Sequence, residues 1–444
     1  MESSSHHSEE DLKQSADRAL KERLHKAFSP AMPINDVDAF YGRYEELERL
    51  SEAIDEPGMH IMLYGERGIG KTSLANVIFA RDPSLHFIKI TCTEREGFTN
   101  LWRHILTQLK SNIGKSFFSQ SGHTKKTNLP AAAFENFKAH IDTALTDSER
   151  KSLSTETIIK ILHPLPKKLV IVLDEFDVAA KQETVSQLFA GLIKTFSDRL
   201  PQITLLFVGI ANNSTELIAE HPSLERCFSQ IMLKRMNMEE MSDLLTGCLL
   251  KVKLTTDGEV KTLLLTLAAG FPYYVHMLGK YAAESALTHR YTVITKANLK
   301  ASVEKAIRNT FASIVTAYKK ATQPNINFPP RAKWFYSEVL EAAAQFKPQN
   351  DFIHTPEHLT EPSNEEICFS AKELLPFISI KAAAFDDQAG QYPKKVSLAL
   401  SQLTRSSRGT VLRKIPRLTS HTPVQYQFEN PLLRAFILLK LYLK

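Results

Sequence analysis

Gly65-Glu66-Arg67-Gly68-Ile69-Gly70-Lys71-Thr72-Ser73 decides how this chain is read, because an apolar run at 60–64 precedes it and a helix-compatible stretch at 73–80 follows it. The spacing is G-x-x-x-x-G-K-[ST] placed between a strand and a helix. Glycines let the backbone turn at positive φ and bring successive N–H groups onto phosphate oxygens, while the N-terminus of the following helix adds partial positive charge. A lysine after the last glycine reaches the β and γ phosphates, and the next hydroxyl ligates magnesium. The stretch therefore predicts bound ATP and Mg²⁺. Lys71 lies on the phosphates, Thr72 on the metal, and Gly65, Glu66, Arg67, Gly68, Ile69, Gly70 and Ser73 complete the cradle.

Around this loop, apolar runs at 60–64, 87–91, 169–173, 204–210 and 231–234 alternate with helical or polar segments. That rhythm predicts an α/β fold, a parallel sheet layered between helices. The run at 169–173 ends in Asp174 and Glu175. A carboxylate at the tip of the neighbouring strand is where the second coordination shell of the bound Mg²⁺ is anchored, which assigns Asp174. The next residue is placed to polarise a water for in-line attack, which assigns Glu175. Asp177 has no chemical role on this reading and is expected to cap a helix. Beyond the run at 204–210, an amide can hold the attacking water: Asn212, with Asn213 as the alternative.

A length of 444 residues accommodates two or three domains of roughly 150 residues each. With 43% hydrophobic residues the chain can build cores, and a net charge of +6 permits a polyanionic partner without demanding one. Cys92, Cys227, Cys248 and Cys368 are too dispersed for a zinc knuckle or a redox pair, which suits a reducing cytoplasm. The polar start, including His6 and His7, reads as a solvated tail and lacks the apolar core of a signal peptide. The apolar stretch 431–443 is broken by Arg434 and Lys440 and falls short of the roughly 20 residues of a membrane helix, so no membrane contact is expected.

Helical periodicity marks 12–28, 44–54, 238–251, 258–269, 273–287 and 296–319. Residues 111–130 read as a surface insertion, and 323–330, rich in proline and asparagine, as a linker. The expected parts are a tail and helix at 1–39, a nucleotide-binding core at 40–237, a helical lid at 238–322 and a last domain at 323–444.

Taken together, these motifs resemble the AAA+ superfamily of P-loop ATPases, and within it the origin-recognition ATPases and the related STAND signalling NTPases. The likeness spans roughly residues 40–287. Tyr41-Gly42-Arg43 with Glu45, Glu46 and Leu47 looks like the segment that places the adenine in that clade, which implies a nucleotide contact for Arg43. The loop, the strand ending Asp174-Glu175-Phe176-Asp177, and Val208-Gly209-Ile210-Ala211-Asn212 follow in the family's order. Arg226, just before the last core strand, stands where such ATPases carry an arginine that reaches a neighbouring subunit's γ phosphate. This implies a homo-oligomer, although a pairing with Glu225 or Glu220 would serve as well. Gly270-Phe271-Pro272 departs from the origin-recognition pattern, which has an arginine where Tyr273 stands, and is similar to the STAND form in which the proline packs near the base. Pro272 could equally just open a helix.

Predicted helices at 332–346, 371–385 and 393–405, with a hairpin of 410–415 and 424–428, resemble a winged helix-turn-helix. No acidic residue lies between Gln391 and Phe428, where Lys394, Lys395, Arg405, Arg408, Arg413 and Lys414 concentrate, a pattern able to neutralise DNA phosphates. The expectation is an α/β AAA+ three-layer core with helical lid and C-terminal winged helix, hydrolysing ATP as a nucleotide-dependent switch. Two outputs are compatible with it: double-stranded DNA held by the winged domain, or a separate effector protein activated in a prokaryotic defence module.

Overall fold

The structure, a computed structural model, describes residues 18–19, 21–83, 85–94, 96–116, 131–148, 153–165, 168–209, 222–346, 367–378, 385, 391–415 and 423–444. The chain divides into two compact units, residues 33–66 with 70–233, and residues 1–32 with 67–69 and 234–444.

In the unit containing residues 70–233 the five expected runs become β1 (His60–Gly65), β2 (His86–Thr91), β3 (Leu169–Asp174), β4 (Ile203–Gly209) and β5 (Phe228–Leu233). They form one parallel sheet in the order β2-β3-β4-β1-β5. The helices of this unit are α1 (Tyr44–Asp55), α2 (Lys71–Arg81), α3 (Phe98–Ser116), α4 (Ala131–Ser148), α5 (Thr155–Leu162), α6 (Phe176–Ala179) and α7 (Glu183–Arg199). Every residue of β3 is buried, as a central parallel strand covered on both faces requires. One face packs an aromatic cluster in which Phe176 meets Phe207 and Phe189 edge-on at 4.6 and 5.3 Å, and Trp102 meets Phe196 at 6.0 Å. On the other face Phe79 of α2 stacks on Phe87 of β2 at 4.1 Å.

Three expectations change here. The strand bearing Asp174 is not the neighbour of β1: β4 lies between them, because the chain crosses to the sheet edge for β2 before returning. Residues 111–116, read as part of an insertion, continue α3, and 117–130 lie outside the described residues. Asp177 is not the cap of α6; Glu175 holds that position and Asp177 lies in the first turn, beside Gly209.

In the other unit, sequence signals for helix ends coincide with observed ones. Asn237 and Glu240 form a reciprocal capping box that starts α8 (Met238–Lys251), and Asp257 caps α9 (Gly258–Ala268). Pro272 opens α10 (Pro272–Thr288). The helix expected over 296–319 is two, α11 (Lys296–Arg308) and α12 (Ala312–Ala321). Asn309 ends the first, and Phe311 takes an extended conformation that stacks its ring on Tyr273 at 5.7 Å.

Further along stand α13 (Phe335–Gln345), α14 (Ala371–Leu374), α15 (Tyr392–Leu403) and α16 (Pro431–Tyr442). The helix expected over 371–385 stops after one turn because Pro376 cannot donate to the ladder; a 3-10 turn at Leu375–Phe377 replaces it. Besides a short parallel pair, β6 (Thr255–Thr256) and β7 (Val293–Ile294), this unit holds the expected hairpin, β9 (Leu412–Lys414) with β10 (Gln425–Phe428). An unforeseen strand, β8 (Phe369–Ser370), pairs antiparallel with β10. Among the described residues no helix is long and apolar enough to cross a membrane.

Candidate nucleotide site

The turn after β1 is built on left-handed backbone at Gly68 and Gly70, with φ of +84° and +96°, where a side chain would be strained. Such turns let successive N–H groups converge into an anion-binding hollow. Gly70 caps α2, and Leu74 donates to its carbonyl at 3.0 Å, closing the first helical turn. Ile69 is buried and Arg67 exposed. The Lys71 ammonium folds back across the loop, donating to the carbonyls of Gly65 at 2.9 Å and Glu66 at 2.8 Å. The Ser73 hydroxyl accepts from Ile34 N–H at 3.1 Å, which ties that segment to α2.

Thr72 and Asp174, 102 positions apart, come together: the hydroxyl donates to the carboxylate Oδ1 at 3.3 Å. The same oxygen accepts Glu175 N–H at 3.1 Å, and Oδ2 pairs with the Lys89 ammonium at 3.0 Å. Lys89 was not foreseen. A lysine interrupting the apolar strand Phe87-Ile88-Lys89-Ile90 was the only signal for it. A hydroxyl beside a buried carboxylate is a hard-oxygen donor set of the kind that would suit Mg²⁺.

Glu175 is held in left-handed backbone, φ +56° and ψ +34°, between buried Asp174 and Phe176, which is anchored in the aromatic cluster. Nearby Cys92 donates its N–H to the Asp174 carbonyl at 2.8 Å. Burial, aided by the carboxylates of Glu96, Asp174, Asp177 and Glu175, pushes its thiol up to about 12, so it stays protonated and is no nucleophile.

Arg43 is buried in a left-handed turn before α1 and pairs with Glu46 at 2.9 Å. Arg226 is exposed in the turn before β5 and pairs at 3.6 Å with Asp198 of α7, a partner different from the glutamates expected. Asn212, Asn213 and Glu220 lie outside the described residues. Pro272 sits in the first turn of α10, preceded by Gly270 at φ +86°, where a side chain would strike Arg235. The close approach of Arg235 thus accounts for Gly270, and the first helical turn for Pro272.

The basic set near the C-terminus is split. Arg408 lies over the Tyr336 ring at 4.0 Å and donates to the Gln323 carbonyl; Arg413 donates to Gln427 Oε1 from two nitrogens at 3.1 and 3.0 Å; Lys395 sits over Phe385 at 5.3 Å. Lys394, Arg405 and Lys414 are exposed.

The five-stranded parallel sheet, with the glycine turn after β1 and the acidic pair at the tip of β3, is the α/β core of the AAA+ P-loop fold. Residues 39–208 match the family model of the AAA ATPase domain. Among solved structures, the chain is similar to the Walker-type ATPase of Pyrococcus abyssi at 15% identity, with 92% of this chain and 98% of that one covered and a TM-score of 0.51, a likeness in fold. The ORC2 protein of Aeropyrum pernix, in ADPNP and ADP complexes, matches at 14% identity, 94% and 96% coverage and a TM-score of 0.46. ORC1 of the same organism, in complex with DNA, matches at 16%, 90% and 92%, and 0.42. No curated protein matches the chain.

Proposed function

We propose that this chain binds Mg²⁺ and ATP at residues 65–73, hydrolyses the nucleotide with Glu175 as base, and works as a nucleotide-dependent switch. One observation carries the reading: Thr72 Oγ1 stands 3.3 Å from the buried Asp174 carboxylate, with Glu175 next in the chain. In use, Lys71 exchanges the carbonyls of Gly65 and Glu66 for phosphate oxygens, and the amides around Gly68 and Gly70 hold the remaining phosphate charge. Thr72 and Asp174 would hold magnesium, which would supply positive charge to offset charge developing on the phosphates. Glu175 removes the proton from the attacking water, and Asn212 orients that water.

In this reading Arg226 acts in an assembly of copies, and residues 323–444 form a winged helix-turn-helix that follows the lid at 238–322. The three-stranded antiparallel sheet beside α15 supports that subdivision. DNA contact is assigned to exposed Lys394, Arg405 and Lys414, since Lys395, Arg408 and Arg413 already serve their own unit.

Phosphate release by the full chain at saturating Mg²⁺ and ATP tests the chemistry. Wild type should turn over and Lys71→Ala should fail to retain ATP on a filter; turnover by Glu175→Gln at the wild-type rate would remove the base assignment. Duplex DNA titrated at two salt concentrations tests the output. Weaker binding at the higher salt supports the DNA reading, and no binding by a chain that hydrolyses ATP favours an effector protein as its target.

A further inference from the structure

β2 alternates along its length. His86, Ile88 and Ile90 are buried on one face, while Phe87, Lys89 and Thr91 lie on the other, where Phe87 stacks on Phe79 of α2. Lys89 is in register with Val172 of β3, so its side chain reaches the diagonal neighbour two positions on, Asp174. Its ammonium takes Asp174 Oδ2 at 3.0 Å and donates to Asn76 Oδ1 on α2 at 2.9 Å. Asn76 is fixed in turn by a bond to Asn35 at 2.7 Å, and Gln108 of α3 donates to the Lys89 carbonyl at 3.1 Å. Only 7% of the Asp174 side chain is exposed, against 25% for Lys89. Both carboxylate oxygens are therefore engaged: Oδ1 by the Thr72 hydroxyl and the Glu175 amide, Oδ2 by the lysine.

We propose that Lys89 is a positioning residue, a resident counter-cation that holds Asp174 in place and sets the divalent-cation concentration at which the nucleotide site fills. The inference rests on the Mg²⁺ and ATP reading given above. Two consequences follow from the one charge. A buried carboxylate stripped of its partner is costly, so Lys89 stabilises the protein before any metal arrives. The same positive charge opposes a second cation on the same carboxylate, so the site demands more Mg²⁺ than Asp174 and Thr72 alone would.

The test uses the full chain and a fluorescent ATP analogue, mant-ATP, titrated at fixed concentration with EDTA-buffered Mg²⁺, together with thermal melting in EDTA. Lys89→Met should lower the half-saturating Mg²⁺ on the order of tenfold, as loss of a nearby unit charge in a partly shielded site predicts. It should also lower the melting temperature in EDTA by several degrees. Lys89→Gln keeps hydrogen-bonding capacity while removing charge and should move the Mg²⁺ midpoint in the same direction, which guards against a poorly folded methionine variant. Lys89→Arg should stay within about twofold of wild type, because Coulomb interaction follows charge. Neutral variants that fill at the wild-type Mg²⁺ concentration would overturn the proposal and leave the nucleotide reading intact. A wild-type chain that fails to bind mant-ATP at any Mg²⁺ concentration overturns the nucleotide reading itself.

Discussion

Glu175, the proposed base, sits in left-handed backbone. Left-handed backbone costs a non-glycine residue about 1–2 kcal/mol, and here it is held by Asp174 Oδ1 on one side and the Phe176 ring on the other. Glu175→Gly should relieve that strain, leaving stability equal or raised by up to about 1 kcal/mol in urea denaturation, while phosphate release falls by about 10²-fold or more. A destabilised glycine variant would mean that the turn is not strained. His60 makes a second residue-level case. Its Nδ1 accepts Leu205 N–H at 3.0 Å and its Nε2 faces the Ile193 carbonyl at 3.2 Å, which sets the neutral tautomer. Burial lowers its pKa from 6.5 to about 4. As pH falls below about 6.5 the unfolded chain takes up a proton that the folded chain refuses, so stability declines until the folded ring titrates near 4. At most about 3 kcal/mol is lost over that window, and His60→Phe should show a flatter acid dependence in denaturant midpoints at pH 7 and 5.

Elements are joined by shape as much as by period. Phe28, from the N-terminal helical segment, is buried over Gly279 of α10, and a Cβ at that glycine would stand 2.6 Å from its ring and 3.0 Å from Leu245. Gly279→Ala should therefore cost about 1–3 kcal/mol by overpacking, read as a lower melting temperature and faster proteolysis between residues 21 and 28. Unchanged protease resistance would show that the segment adapts. The break between α11 and α12 belongs to the same class. Nothing in the periodicity of 296–319 foretells it; at the break Phe311 stacks on Tyr273 of a different helix.

For the molecule as a whole, the proposed assembly and DNA contact are tested at exposed charges. The Arg226–Asp198 pair is open to solvent and contributes little, so Arg226→Ala should leave stability within about 0.5 kcal/mol. If copies assemble, wild-type ATP hydrolysis should rise with protein concentration and this variant should lose that dependence; retention of it would remove Arg226 from any shared site. Neutralising Lys394, Arg405 or Lys414 should each reduce the salt slope of duplex binding by about 0.9, as loss of one phosphate contact does. Arg413→Ala should instead cost stability through Gln427.

The sheet and the phosphate loop were legible in the chain itself because both are local. An apolar run of strand length, two glycines that tolerate positive φ, and a lysine and hydroxyl at fixed offsets carry their meaning wherever they occur. The tip of β3 was legible for the same reason, since Asp174 and Glu175 end an apolar run. Lys89 against Asp174, β4 inserted beside β1, the strand β8, and the use of Arg408 and Arg413 as internal ties were not legible. Each depends on which strand or ring lies alongside another in space, and periodicity along one segment holds no information about its neighbour.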